Sequence, residues 1–252
     1  MFFNSNLKIF TSSLINNNYF LAGFGTKELG DGRKSENLIS FFKKNNINFS
    51  KIIVPKQIHS ANIYFYQKAT NPFLIEKIED VDGLITKEKD VVLTVITADC
   101  VPMIFIEEKE KIIGISHQGW RGSIKRMSQK MIDRVIEVGG KIENLKILIG
   151  PSIGDCCYDV EEDRYYQFKE EFDGYSEKIF RFFKGGWHLS LAKLNYLLLI
   201  DKGVKKENID FFPFCTNCDK KRFFSYRRYK RKKNEEYREM VSFVVIKKNN
   251  IF

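Results

Sequence analysis

Val91-Val92-Leu93-Thr94-Val95-Ile96-Thr97, then Pro102-Met103-Ile104-Phe105-Ile106, then Ile112-Ile113-Gly114-Ile115-Ser116-His117 form three successive runs rich in β-branched residues. Each run is too short for a typical helix, and each is apolar almost throughout, which is the pattern of strands buried on both faces. No helical segment fits between them, so a regular strand-helix-strand repeat is excluded and α+β layering is expected. Working outward, similar runs predict strands over about residues 20 to 25, 51 to 54, 61 to 66, 145 to 149, 209 to 213 and 241 to 246. Ile124, Met127, Met131, Ile132, Val135 and Ile136 recur at three-to-four-residue spacing, and Gly139-Gly140 ends the pattern, predicting a helix over 123 to 138. Further helices are expected at 33 to 45, 161 to 172 and 189 to 202, the last with Leu191, Leu194, Leu198 and Leu199 inward.

The chain has 252 residues, 43% of them apolar, enough to bury a large core without disulfides. With no internal repeat or Pro/Gly-rich hinge, residues 1–252 read as one domain. The five cysteines are unevenly spaced and do not form the paired framework of a secreted protein, so a reducing cytoplasm is expected. The first ten residues lack the apolar core of a signal peptide, and no apolar run reaches membrane-spanning length. A net charge of +10 raises a nucleic-acid reading, above all for Lys220 to Lys233, where Phe223, Phe224, Tyr226 and Tyr229 are interleaved with basic residues. Basic residues are spread over the whole chain, however, and a solvated basic face that attracts small anions is the expectation preferred here.

Gln57-Ile58-His59, Thr97-Ala98-Asp99-Cys100 and His117-Gln118-Gly119-Trp120-Arg121-Gly122 offer two imidazoles and a thiol at the ends of predicted strands. Three such ligands leave one tetrahedral zinc position free for water, which is the arrangement of a catalytic rather than a structural metal. By spacing alone, each histidine reads equally as a core or surface group, and the cysteine as a small hydrophobe.

The local words resolve more than the spacing does. Together with Asp82-Gly83-Leu84-Ile85-Thr86, Gly150-Pro151-Ser152-Ile153-Gly154 running into Cys156-Cys157-Tyr158, and Cys215-Thr216 followed by Arg222-Phe223-Phe224-Ser225-Tyr226-Arg227-Arg228, they resemble the YfiH-like family, whose members carry laccase-domain, polyphenol-oxidase and purine-nucleoside-phosphorylase names. The resemblance implies packed mixed sheets covered by helices, with His59, Cys100 and His117 as zinc ligands. It also implies action on purine nucleosides, by phosphorolysis of adenosine, inosine, guanosine or methylthioadenosine and by deamination of adenosine. Where the family has Thr-Arg-x-Gly-Gly this chain has Thr26-Lys27-Glu28-Leu29-Gly30, so the charge is kept without the two-pronged guanidinium. After Arg228 the family's acidic residue and glycine give way to Tyr229-Lys230-Arg231-Lys232-Lys233.

For such chemistry Asp99 is a candidate proton carrier or, equally, a brace for a metal ligand. His117 and Cys100 are expected at the reacting centre. Lys27, Arg121, Arg227 and Arg228 are candidate phosphate contacts, or else surface charges. Gln57, two residues before His59, shares its face if the segment is a strand, and would either bond the base or brace the backbone. Trp120 would stack on the purine or pack as core; the glycines at 119 and 122 would admit a ligand or only turn the chain. Cys215-x-x-Cys218 has the form of half a structural zinc site, but its other half would be Cys156 and Cys157, which diverge if they lie on a strand. His188 is expected to be structural.

Three alternatives stand beside this reading. A multi-copper oxidase needs close to ten histidines and this chain has three, but a single copper at His59, Cys100 and His117 with Met103 as a weak axial ligand is open. A metal-independent hydrolase, including one that edits peptidoglycan precursors, would use Cys100 as nucleophile and His117 as base. A basic binding module would do no chemistry at all.

Overall fold

The computed structural model describes residues 1–16, 18–67, 72–232 and 236–248; Lys233 of the basic run lies outside them. The central runs form strands Val91–Thr97, Val101–Glu107 and Ile112–Gln118, but they do not share one sheet. Val91–Thr97 sits in a seven-stranded sheet between Met240–Ile246, which it pairs antiparallel, and Lys51–Pro55, which it pairs parallel. Phe20–Gly25 continues that sheet on the far side of Met240–Ile246. Val101–Glu107 lies in a six-stranded sheet, antiparallel to both Ile112–Gln118 and Leu145–Ile149, and Gly83–Thr86 pairs with the other edge of Ile112–Gln118.

These two mixed sheets pack face to face. Leu93, Val95, Phe24 and Val244 from the first meet Ile104, Ile106, Ile115 and Leu148 from the second in one apolar layer. On the outer face of the first sheet, Val92, Phe243 and Val245 pack on Leu38, Phe41 and Phe42 of helix Ser35–Lys44. Met103, Phe105 and Ile147 on the outer face of the second sheet pack on Met131, Ile132 and Val135 of helix Met127–Glu137 and on Leu194 and Leu198 of helix Leu191–Asp201. Neighbours along a central strand thus point into different cores, and both cores are apolar. That is why the sequence shows continuous apolar runs there instead of alternation. The α+β expectation of packed mixed sheets flanked by helices holds.

Several expectations change. The helix expected over 123 to 138 is two helices, Trp120–Ile124 and Met127–Glu137, separated by Arg126 in the left-handed region at φ 57°. Arg126 is ion-paired with Glu171 at 3.0 Å, and the short first helix opens directly from the strand that ends at Gln118. Ile136, placed on the inner face, is 44% exposed in the last turn. The short strands Ile75–Ile78, Phe180–Phe183 and Gly186–Leu189 had no signal of their own, since four residues carry little periodicity and only their partners define them. Cys156 and Cys157 are not on a strand. They occupy a tight turn closed by bonds from the Cys157 and Tyr158 N–H groups to the Gly154 carbonyl, both 3.0 Å, so their side chains need not point apart. Among the described residues no helix is long and apolar enough to cross a membrane.

Candidate metal centre

His59 stands in the loop after Lys51–Pro55, with a left-handed backbone at φ 59°, so Gln57 and His59 are not related as neighbours on one strand face. Cys100 stands where the chain leaves one sheet for the other, next to Asp99 at φ 91°. His117 is the penultimate residue of Ile112–Gln118. Two non-glycine residues held at positive φ in one cluster of loops are a local cost that only the surrounding packing sustains. The result is convergence: the ligand atoms of His59, Cys100 and His117 all lie within 4.8 Å of one another. Cys100 Sγ is 3.9 Å from His59 Nε2, and the imidazole rings meet edge-on at 4.7 Å between centroids. One sulfur and two ring nitrogens suit a borderline-soft divalent cation with one coordination position left over.

The cluster is oriented from behind by Asp82, the first residue of Asp82-Gly83-Leu84-Ile85-Thr86. Asp82 is fully buried and its Oδ1 lies 2.7 Å from His117 Nδ1; donation there leaves Nε2 facing the cluster. The same carboxylate accepts the backbone N–H of Ile58, His59 and Ser60 and the Ser60 hydroxyl, so it fixes both histidines. Burial alone works to raise its pKa, but the His117 and Ser60 bonds hold the carboxyl below its ordinary range. Burial likewise works to raise Cys100 and to lower His117. Their mutual attraction wins, aided by Asp82 on the histidine, and brings the thiol down to about 7 and the imidazole up to about 10. Gly119 permits the approach: a Cβ there would stand 2.7 Å from His59 Cδ2 and 3.4 Å from Cys100 Sγ.

The cluster floors a cleft of about 820 Å³ lined also by Trp120, Arg121, Arg164, Tyr226, Arg227, Tyr237 and Glu239. Asp99 reaches its wall, but Thr216 Oγ1 at 2.6 Å, Ser225 Oγ at 2.9 Å and the Arg227 N–H at 2.7 Å all donate to its carboxylate. The Gln57 amide is closed on the backbone of Ile96, accepting from its N–H and donating to its carbonyl, both at 2.8 Å. Arg227 is paired with Asp159 and also donates to the Cys157 carbonyl at 3.3 Å. Lys27 is not among the residues lining the cleft; its ammonium donates to the Lys220 carbonyl at 2.9 Å and lies over the Phe224 ring. Arg228 is buried and donates to the carbonyls of Thr216, Asn217 and Phe223, which makes it a brace rather than a phosphate contact. Met103 is fully buried in the core behind the second sheet and is not among the residues lining the cleft, which removes it as an axial copper ligand. His188 is buried and held by the Asp155 carbonyl at 2.6 Å, in the structural role expected of it.

Trp120 is half-buried, packed against the core behind the second sheet on one side and lining the cleft on the other. The guanidiniums of Arg121 and Arg164 lie over its ring, 4.3 and 4.4 Å from the centroid. Arg164 carries no signal in the sequence; its Nε is buried with no hydrogen-bond partner among the described residues. Glu239 was also missed. It is half-buried beside Tyr237, and burial raises its carboxyl above the ordinary value despite a hydrogen bond from the Tyr237 hydroxyl. Neither stands in a recognisable word, and each becomes a cleft residue only through folding.

Known proteins resemble this chain in sequence and fold. The family model described as multi-copper polyphenol oxidoreductase laccase matches residues 28–247. The chain is 28% identical over 187 residues to "Adenosine deaminase RL5" from an unknown prokaryotic organism, covering 72% of this chain and 71% of that one. It is 32% identical over 170 residues to "Purine nucleoside phosphorylase YlmD" of Bacillus subtilis, covering 66% of this chain but only 59% of the relative's length. A purine nucleoside phosphorylase of Borreliella burgdorferi is 34% identical over 191 residues, covering 73% and 78%. Among solved structures, Bacillus licheniformis YfiH superposes with a TM-score of 0.80 at 26% identity, covering 90% of this chain and 93% of that one. YlmD from Geobacillus stearothermophilus shares the fold, with a TM-score of 0.77 at 23% identity over 96% of this chain and all of its own. The chain belongs to the family of multi-copper polyphenol oxidoreductase laccases, on the YfiH- and YlmD-like side of it.

Proposed function

We propose that this chain is a zinc-dependent purine nucleoside enzyme that carries out phosphorolysis of adenosine, inosine, guanosine or methylthioadenosine and deamination of adenosine. The observation that carries the reading is the convergence of His59, Cys100 and His117, backed by Asp82, at the floor of a cleft roomy enough for a nucleoside. The names of the relatives support the same substrate class. A divalent cation held by those three residues supplies a Lewis acid that activates water or polarises the substrate near neutral pH.

The chain's own residues do the rest. Asp82 keeps His117 in the tautomer that presents Nε2. Arg121 and Arg164, gathered on Trp120, with Arg227 beside them, make the cationic wall for phosphate, and the unpartnered Arg164 Nε has a donor to give. Glu239, whose carboxyl burial holds above its ordinary range, lines the cleft where it can hand a proton to the departing group. Asp99 keeps the wall in place by gathering Thr216, Ser225 and Arg227. Tyr226 and Tyr237 offer aromatic surface to the base.

The test is to measure metal in the purified protein, incubate it with adenosine with and without phosphate, and separate inosine, adenine, hypoxanthine and ribose 1-phosphate. Cys100→Ala should abolish turnover together with metal at this centre; retention of that metal in the variant contradicts the assignment. A second reading, a cysteine hydrolase with Cys100 as nucleophile and His117 as base, is favoured by the thiol's fall to about 7. Chelation separates the two, because the hydrolase keeps its activity without metal and loses it to iodoacetamide.

A further inference from the structure

Four of the five cysteines stand apart from the catalytic cluster and together. The Sγ atoms of Cys156, Cys157, Cys215 and Cys218 all lie within 4.8 Å of one another. Cys218 Sγ is 3.6 Å from that of Cys156 and 3.4 Å from that of Cys157. A disulfide would require about 2.0 Å, and all four are free thiols. Four thiolates around one zinc at about 2.3 Å stand about 3.8 Å from each other, a few tenths of an ångström more than the two separations from Cys218 and inside the 4.8 Å limit of the cluster.

The two halves are built to meet. Cys156 and Cys157 sit in the turn closed on the Gly154 carbonyl, and Cys215 and Cys218 flank a second turn closed by the Asp219 N–H on the Cys215 carbonyl at 3.0 Å. A backbone bridge joins them, with the Thr216 N–H on the Ser152 carbonyl at 3.0 Å. Gly154 lets them close: a Cβ there would come within 3.2 Å of Cys215 Cβ and 3.3 Å of Cys156 Sγ. Four thiolates on a divalent cation leave two negative charges, and Arg227 and Arg231 line the cavity that Cys156 and Cys157 border.

We propose that Cys156, Cys157, Cys215 and Cys218 form a second, closed site for a soft divalent cation such as zinc, which clasps the 152–158 and 215–219 segments together. Each thiol gives its proton to solvent as the metal binds, and no oxidant or reductant is needed. Ile153, Tyr158 and Arg227 project from or lean on these segments and line the catalytic cleft, so the clasp holds one of its walls.

The test does not depend on turnover. The chain is purified under reducing conditions, loaded with zinc, desalted and assayed for metal and for reactive thiols, both as wild type and as His59→Ala/Cys100→Ala. One zinc per chain should persist in the double variant, with its four remaining thiols unreactive until a strong chelator is added. Adding Cys218→Ser to that background, or using Cys218→Ser alone should the triple variant not fold, should remove one zinc. Cobalt in place of zinc should give the intense thiolate charge-transfer absorption of a sulfur-rich tetrahedral site. Thiols that react at once in the presence of zinc, or a mass lower by two hydrogens per cysteine pair, overturns the proposal.

Discussion

Replacing Asp82 by asparagine tests the support beneath the candidate metal centre. The carboxylate accepts five donors from His117, Ile58, His59 and Ser60 in a fully buried position. An amide keeps one accepting oxygen. If that oxygen stays on His117, its NH₂ faces the Ser60 and Ile58 N–H groups, and each buried donor left without an acceptor costs about 1–3 kcal/mol. The two together should cost about 2–6 kcal/mol of folding stability, a span that includes the cost of breaking one side of a buried charged network. The loss of a carboxylate behind a metal-bound histidine should weaken metal binding about 10- to 100-fold. Urea unfolding gives the first quantity, and competition with a chromophoric chelator gives the second. The carboxyl titrates below its ordinary 3.8 in the folded protein, so its stabilisation is complete above that value and is lost as pH falls through the lower folded value. The asparagine variant should lack that acid limb. A folded variant with metal affinity within about twofold of wild type, well inside the expected loss, would refute the role given to Asp82.

In metal-free protein, alkylation of Cys100 followed by peptide mass spectrometry should reach half its maximal rate near pH 7, and His117→Ala should move that midpoint up toward the ordinary thiol value of 9. Gly119→Ala should expel the metal without unfolding the chain, since the new methyl group displaces the His59 ring 2.7 Å away; full metal occupancy with an unmoved His59 would contradict this. Glu239→Gln should lower kcat for adenosine deamination by about 10²- to 10⁴-fold and abolish the basic limb of the pH profile, while Asp99→Asn should chiefly lower the melting temperature.

Strand positions were legible because both faces of the central strands are buried, so Val91–Thr97 and Ile112–Gln118 announce themselves as unbroken apolar runs. Edge and hairpin strands such as Gly186–Leu189 were not, since four residues hold too little pattern. The break at Arg126 escaped for a related reason: the apolar spacing runs on through it, and only the ion pair with Glu171 marks the left-handed residue. Trp120 serves both readings, packed against the core and also lining the cleft under two guanidiniums, one of them from Arg164 on another helix.

By itself the sequence determined which residue types were available: two imidazoles and a thiol at strand ends, and a set of apolar runs that must bury both faces. Pairing, burial and charge balance belong to the tertiary structure. It alone set Asp82 behind His117, surrounded the Asp99 carboxylate with three donors, brought Glu239 and Arg164 to the cleft, and drew four cysteines from two distant segments into one cluster. The physical reason is range: apolar periodicity is written between neighbours three or four residues apart, whereas a hydrogen bond or a metal ligand pairs atoms that only the packing of two sheets brings within reach.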